Sequence, residues 1–261
     1  MNKNSIYKLD LARGELYWLA GSFGVTNLPI PDDAWRGLSA QDYEVDVQKG
    51  NASLLTRGLI RPSPGFGWQV DRLPSAIIQW LSSANSLLRK EYIPKIGETR
   101  IAHFFTSGEQ GLSVEIDTDV AHFTLYETRA VLIEAIFNLL ALPTTAKNTE
   151  TAYQLPQPEA FLPAAWKNPE LSEKMLRAAG TFDKVEDVTT WVKSLEYVIV
   201  VSKVQVDGRG NKTTGQFSIC GDKKLVWGGE VENEKVSFAL VPSKELTAII
   251  DRMLGVAGRQ K

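Results

Sequence analysis

Between residues 101 and 125 the chain runs through three short segments of alternating side chains separated by turn residues, and this pattern limits the fold more than any other feature. Ile101, His103 and Phe105 alternate with Ala102 and Phe104. A Ser107-Gly108-Glu109-Gln110-Gly111 turn leads to Leu112, Val114 and Ile116, which alternate with Ser113 and Glu115. Asp117-Thr118-Asp119 then leads to Ala121, Phe123 and Leu125. Successive strand side chains point to opposite faces, so period-two alternation between turns predicts an antiparallel meander with one face buried. Thr128 is placed to cap a helix carrying Val131, Leu132, Ala135, Ile136, Leu139 and Leu140.

The same pattern returns near the end of the chain. Residues 111–140, GLSVEIDTDVAHFTLYETRAVLIEAIFNLL, can be laid beside 224–254, KLVWGGEVENEKVSFALVPSKELTAIIDRML. Phe123 then matches Phe238 and Leu125 matches Leu240. With one residue of slip at the cap, Leu132 matches Leu246, Ile136 matches Ile250 and Leu140 matches Leu254. Two unrelated strand–helix units would share some of this periodicity, which leaves coincidence open beside repetition. Taken as a repeat, it predicts an α+β fold with a mainly antiparallel sheet and pseudo-twofold related halves. The organisation expected is an N-terminal half over 1–141, a Pro-rich connection over 142–170 and a C-terminal half over 171–261. Pro143, Pro156, Pro158, Pro163 and Pro169 mark that connection.

Other elements fill in around the meanders. A first helix is expected after Asp10, with Leu16, Leu19, Ala20 and Phe23 on one stripe and Gly24 to end it. Residues 52–60 read as a short helix, and Gly65–Val70 as a turn into a short strand. A longer helix is predicted over 74–89, where Leu73, Ala76, Ile77, Trp80, Leu81, Ala84, Leu87 and Leu88 share a stripe. Glu91–Gly97, interrupted by Pro94, makes a poor strand. In the C-terminal half, helices are expected over 171–179 and 184–196. Strands follow at Tyr197–Val206, Gln216–Cys220, Leu225–Trp227 and Lys235–Val241, with a last helix from near Ser243.

Charge and composition remove several classes of function. Lys plus Arg number 29 against 31 Asp plus Glu, a net charge of −2, whereas affinity resting on phosphate contacts normally comes with a basic excess. A single cysteine, Cys220, excludes an internal disulfide and a cysteine-based zinc site. The opening Met1–Tyr7 lacks an apolar h-region, and no apolar stretch reaches membrane-spanning length. The expectation is a cytoplasmic protein that binds no membrane and no nucleic acid.

Candidate chemistry is sparse. The two histidines, His103 and His122, lie on predicted strands, with no G-x-S-x-G and no H-E-x-x-H to accompany them. Asp117-Thr118-Asp119 offers hard oxygen ligands, but it falls where a hairpin turn is needed. Asp207–Gly215 carries Lys212-Thr213 yet lacks the Gly directly before Lys that a phosphate loop requires. These residues predict no catalytic group, no metal and no cofactor, so the chain is expected not to be an enzyme. The segment Ala52–Ile60, followed by a Gly/Pro turn and Trp68-Gln69-Val70, also resembles the recognition helix and wing of a winged helix. An alternative is therefore a DNA-binding regulator with a β-rich ligand-sensing half, although only Arg57 and Arg61 supply cations there.

Three stretches carry a resemblance to a known family. They are LARGELYWLAGSFGVTNLP at the start, ASLLTRGLI before a long helix, and GQFSICGDKKLVWGGEVENEKVSFALVPSKELTAIIDRML in the C-terminal half. With the central meander and its closing helix, their order is similar to that of the EspG family of ESX (type VII) secretion-associated chaperones. The resemblance covers most of the chain in pattern and order and includes no catalytic or metal motif. It implies an antiparallel sheet of quasi-twofold symmetry flanked by two helical bundles. It also implies a non-catalytic cytosolic chaperone or adaptor for a secreted helical protein, PE/PPE-like or WXG100-like. Family members shield an apolar tip of their substrate with the sheet surface, a strand-connecting loop and the C-terminal bundle. On that footing the binding surface is expected in the C-terminal half. Trp191 and Trp227 would be its anchors, or else ordinary core, with Arg209 and Lys212 as steering charges.

Overall fold

A strand forms where alternate side chains can be buried, and the central segments go beyond the one buried face expected: residues 102–105 and 111–114 are buried on both faces. The computed structural model describes residues 6–25, 28, 39–65, 67–137, 153–168, 170, 174, 176, 185–207, 210–222, 225–232 and 235–255. The expected meander is present as β5 (Arg100–Ser107), β6 (Gln110–Asp117) and β7 (Val120–Tyr126). Its register places Phe105 opposite Leu112 and Val114 opposite both His103 and Phe123. The C-terminal meander is β9 (Tyr197–Asp207), β10 (Gly210–Gly221), β11 (Val226–Glu232) and β12 (Lys235–Leu240). The fold is α+β: with β1 (Ile6–Ala12), β4 (Ser86–Pro94) and β8 (Tyr153–Pro156), these strands form a ten-stranded antiparallel sheet in the order β1-β7-β6-β5-β4-β9-β10-β11-β12-β8. A separate hairpin is made by β2 (Ile60–Ser63) and β3 (Gly67–Val70). Contacts divide the chain into two compact units. One is Met1–Leu87 with Ala102–Leu132 and Val206–Gly210; the other is Leu88–Ile101 with Ile133–Gln205 and Asn211–Lys261.

The first unit opens with a strand that sequence reasoning took for a helix cap. Ile6–Ala12 is β1, paired antiparallel to β7 with Leu9 opposite Phe123 and Asp10 opposite His122. Leu9 and Leu11 are buried while their neighbours are exposed, a period-two pattern that outweighs the capping tendency of Asp10. Helix α1 (Arg13–Ser22) therefore starts later, where the Ala12 N–H donates to Glu15 Oε2 at 2.8 Å. Helix α2 (Ala40–Thr56) is longer than the expected 52–60, because Ser39 caps it by accepting the Asp42 N–H at 3.1 Å. Helix α3 (Arg72–Ser83) buries Pro74, Ile77, Ile78 and Leu81.

The second corrected boundary lies after α3. Residues expected to extend that helix to 89 instead enter strand β4 (Ser86–Pro94), where Leu87 and Leu88 are buried as strand residues. Pro94 is the last residue of β4, where a missing N–H costs little of the ladder. The supposedly poor strand therefore forms. Within it Lys90 is buried and donates from Nζ to the Ile136 carbonyl at 2.8 Å, in the last turn of α4 (Arg129–Phe137). A cation is favoured at that end of a helix.

In the second unit, the stretch expected as a bare connection carries structure. Tyr153–Pro156 forms β8 on the outer side of β12, and Pro158–Lys167 forms helix α5. Its prolines fit because Pro156 ends a four-residue edge strand and Pro158 takes the first helical position. Residues 142–152 of that stretch, Leu139 and Leu140 of the helix before it, and most of the helix expected over 171–179 lie outside the described residues. Val185–Ser194 forms α6 and Ser243–Met253 forms α7. Strand β9 is buried on both faces from Val198 to Val201, which explains its unbroken apolar run. Three of the pairs matched between the two strand–helix units are alike in burial. Phe123 and Phe238, Leu132 and Leu246, and Ile136 and Ile250 are all buried.

Candidate partner-binding site

The aromatic side chains expected to meet a partner are gathered beneath the sheet surface of the second unit. Trp191, on the inner face of α6, stacks on Tyr153 with ring centroids 4.4 Å apart and 15° between planes. It meets Trp227 edge-on at 5.7 Å and Phe238 at 5.7 Å. Leu155, Phe161, Leu162, Val192, Val198 and Val236 complete the surrounding core. Trp191 and Trp227 are only 5% and 6% exposed. Each such contact adds about 0.5–1.5 kcal/mol to the burial of large rings, so packing accounts for both tryptophans. Trp166 also joins this cluster, donating from Nε1 to the Val192 carbonyl at 3.2 Å.

Of the four expected contact residues, the structure brings together Trp191 and Trp227. Lys212 is exposed near the start of β10, while Trp227 lies opposite Cys220 near the other end of that strand. Those two points of β10 are roughly 26 Å apart at 3.3 Å per residue. Arg209 lies outside the described residues.

A feature that sequence reasoning missed stands on the turn between β4 and β5. Ile96 is 91% exposed, an unusual setting for so apolar a side chain. The turn is held in place through Lys95, whose N–H donates to the Glu196 carbonyl at 2.7 Å and whose Nζ donates to the Lys193 carbonyl at 2.8 Å. Gly97 follows with φ of 114°, a conformation that favours glycine. Ile96 is thus presented at the tip of an anchored turn. The available signal was Pro94-Lys95-Ile96-Gly97-Glu98 itself, in which a lone apolar residue interrupts a turn sequence.

The titratable groups are engaged in structure. Cys220 is buried, and desolvation pushes its thiol pKa well above the ordinary value, away from nucleophilic reactivity. His103 is buried on β5. His122 is exposed and its Nδ1 sits 2.9 Å from Asp10 Oδ1. Among the described residues, no group of three His, Cys, Asp or Glu could hold a metal ion.

The first unit contains a groove of about 220 Å³ beside α1 and α2, lined by Arg13, Glu15, Asp46, Lys49, Ser53 and Asp119 among others. Arg13 pairs with Asp46 at 2.6 Å and with Asp119 at 3.1 Å. Glu15 is buried and accepts from Ser53 Oγ at 2.7 Å and from Arg57 Nη1 at 2.5 Å. Arg57 also donates to the Asp10 carbonyl at 2.8 Å. The cation expected on a groove-reading helix is therefore tied into the fold, which weakens the winged-helix alternative.

Comparison with known proteins adds one result. No protein-family model matches the chain, and no curated protein matches it. Solved structures do match, among them the EspG5 chaperone of the Mycobacterium tuberculosis type VII secretion system, determined in complex with a PE25–PPE41 dimer. The match covers 94% of this chain and 96% of that one, with a TM-score of 0.55 and 11% sequence identity. The likeness is one of fold. It agrees with the architecture expected from the EspG resemblance at that level. Among the described residues no helix is long and apolar enough to cross a membrane.

Proposed function

We propose that this chain is a non-catalytic cytoplasmic chaperone or adaptor that holds a secreted helical protein of the PE/PPE-like or WXG100-like kind. The observation that carries this reading is the fold shared with EspG5 over nearly the full length of both chains. Further support comes from the second unit, which offers a firmly packed sheet and a fully projecting apolar side chain, Ile96. A chaperone that stays dissolved without its client should show a small apolar contact with polar neighbours rather than a bare hydrophobic face. Ile96, between Lys95 and Gly97 with Glu98 one residue further on, has that character. In this reading Ile96 inserts between helices of the client and Arg209 and Lys212 steer its approach. Trp191 and Trp227 form the rigid floor beneath the contact surface.

The test is binding of the purified full chain to a purified PE/PPE-like heterodimer and to a WXG100-like helical hairpin, followed by calorimetry. Ile96→Asp should weaken the complex at least about tenfold, as loss of a desolvated anchor does, with an unchanged melting temperature. Arg209→Glu with Lys212→Glu should slow association several-fold at low salt while barely changing dissociation. Failure to bind either class of client, or a footprint that leaves out both Ile96 and residues 171–261, would overturn the assignment.

A further inference from the structure

Helix α2 is an unusually bare element. Of its seventeen residues, Gly50 and Leu54 are buried. Helix α1 holds one side of it, through contacts that include Tyr17 with Tyr43 and Arg13 with Asp46. The opposite side carries Gln41, Val45, Gln48, Ala52 and Leu55, all exposed. Val45 is 41% exposed and Leu55 39%.

These five residues are spaced four, three, four and three apart, which is the a/d spacing of a coiled-coil seam. At 100° per residue they fall within an arc of roughly 80°, directly away from α1. The seam contains no charge, and the charges beside it are ordered. With Val45 at an a position, Glu44 takes g and Lys49 takes e. In a parallel two-stranded seam a g residue faces the e residue five positions further along the partner helix. Glu44 would face Lys49 of a second copy, twice over by symmetry, and Asn51 would face Thr56 in the same way. An antiparallel seam that pairs Val45 with Leu55 would set Lys49 against Lys49, and Asp42, also at an e position, is engaged by the Ser39 hydroxyl at 2.6 Å. Glutamines at two d positions can bond across the axis and fix the register, at a cost in affinity.

We infer that α2 is a self-association surface, through which two copies of this chain pair in parallel. Self-complementary charge at e and g favours a second copy over an unrelated helix. A seam of two heptads with Ala and Gln is weak, but α2 is already ordered on α1, so pairing bears little folding cost. The expected result is a reversible, concentration-dependent dimer. This inference does not depend on the chaperone reading.

Sedimentation equilibrium of the full chain over a concentration series, at low and at moderate salt, tests it. A monomer–dimer equilibrium that weakens with salt is expected. Val45→Glu, at an exposed site, should weaken it at least about tenfold with an unchanged circular dichroism spectrum. Glu44→Lys and Lys49→Glu should each weaken it, and the double reversal should restore it. A chain monomeric at every concentration would overturn the inference. So would a dimer indifferent to Val45→Glu, or a double reversal no better than the single ones. Client binding by monomeric Val45→Glu separates this result from the chaperone reading.

Discussion

The helical layers of the two units are built on opposite principles. In the second unit, α5 and α6 press Phe161, Leu162, Trp191 and Val192 into a core with Tyr153, Trp227 and Phe238. In the first, α1 and α2 approach so closely that a Cβ on Gly50 would collide with the Gly14 backbone, and one on Gly14 with the Asp46 carbonyl. The contact is completed by Arg13–Asp46, by Glu15 with Ser53 and Arg57, and by Tyr17 against Tyr43. The aromatic layer draws its stability from buried volume, while the glycine layer relies on fit and on satisfied charge. A layer of the second kind buries little of α2, which is why that helix retains an open face.

The largest expected effect tests the volume-driven layer. Trp191→Ala removes a ring that three other aromatics contact, and should lower unfolding free energy by about 3–5 kcal/mol in urea denaturation. A loss below about 1 kcal/mol would show that Trp191 is not core and would return it to the list of surface anchors. A smaller change tests the fit-driven layer by its sign. On an open helix, Gly→Ala stabilises by roughly 0.5–1 kcal/mol. Gly50→Ala should instead destabilise by about 1–3 kcal/mol, because the added methyl meets backbone that cannot turn aside. Stabilisation by this substitution would mean that α1 and α2 do not pack as described.

Much of this contrast was legible in the sequence, and its gaps have physical causes. Alternation at Leu112, Val114, Ala121 and Phe123 located the meander, although β5 over residues 102–105 and β6 over residues 111–114 are buried on both faces. The boundaries at Asp10, Leu87 and Pro156 were misread because a cap residue, an apolar pair and a proline each have two uses. Only tertiary pairing decides between them: β1 against β7, or β8 against β12. The Gly14–Gly50 approach left no periodic signal, since a glycine contact is made by missing atoms. Of the candidate site, Trp191 and Trp227 were legible as a pair of large aromatics in one half. Burial, which decides how such rings act, depends on β8 and α5, and both fall in the stretch read as connection. Ile96 escaped because an exposed apolar side chain breaks the pattern on which the reading relied.

The smallest expected effect sharpens the comparison with pH. Burial raises the thiol pKa of Cys220 well above its ordinary 9.0. It also raises the phenol of Tyr197, in the same unit, above 10.0, and less strongly that of Tyr126 in the first unit. Each group keeps its proton in the folded chain at a pH where the unfolded chain has released it. The folded state therefore binds more protons, and stability falls as pH rises. The stabilisation is fully present below the unfolded thiol value and declines above it, so the first loss belongs to Cys220 and hence to the second unit. Between pH 9 and pH 10 it should be about 1 kcal/mol, short of the full value of about 1.4 kcal/mol per pH unit because the unfolded thiol is only half-titrated at pH 9. Urea denaturation at those two values would measure it, alongside Cys220→Ala, which is less stable at both pH values but lacks the thiol's share of the slope. If the variant and the parent lose the same amount, the thiol is not the group responsible and the effect must be sought in the tyrosines, one of which lies in the other unit.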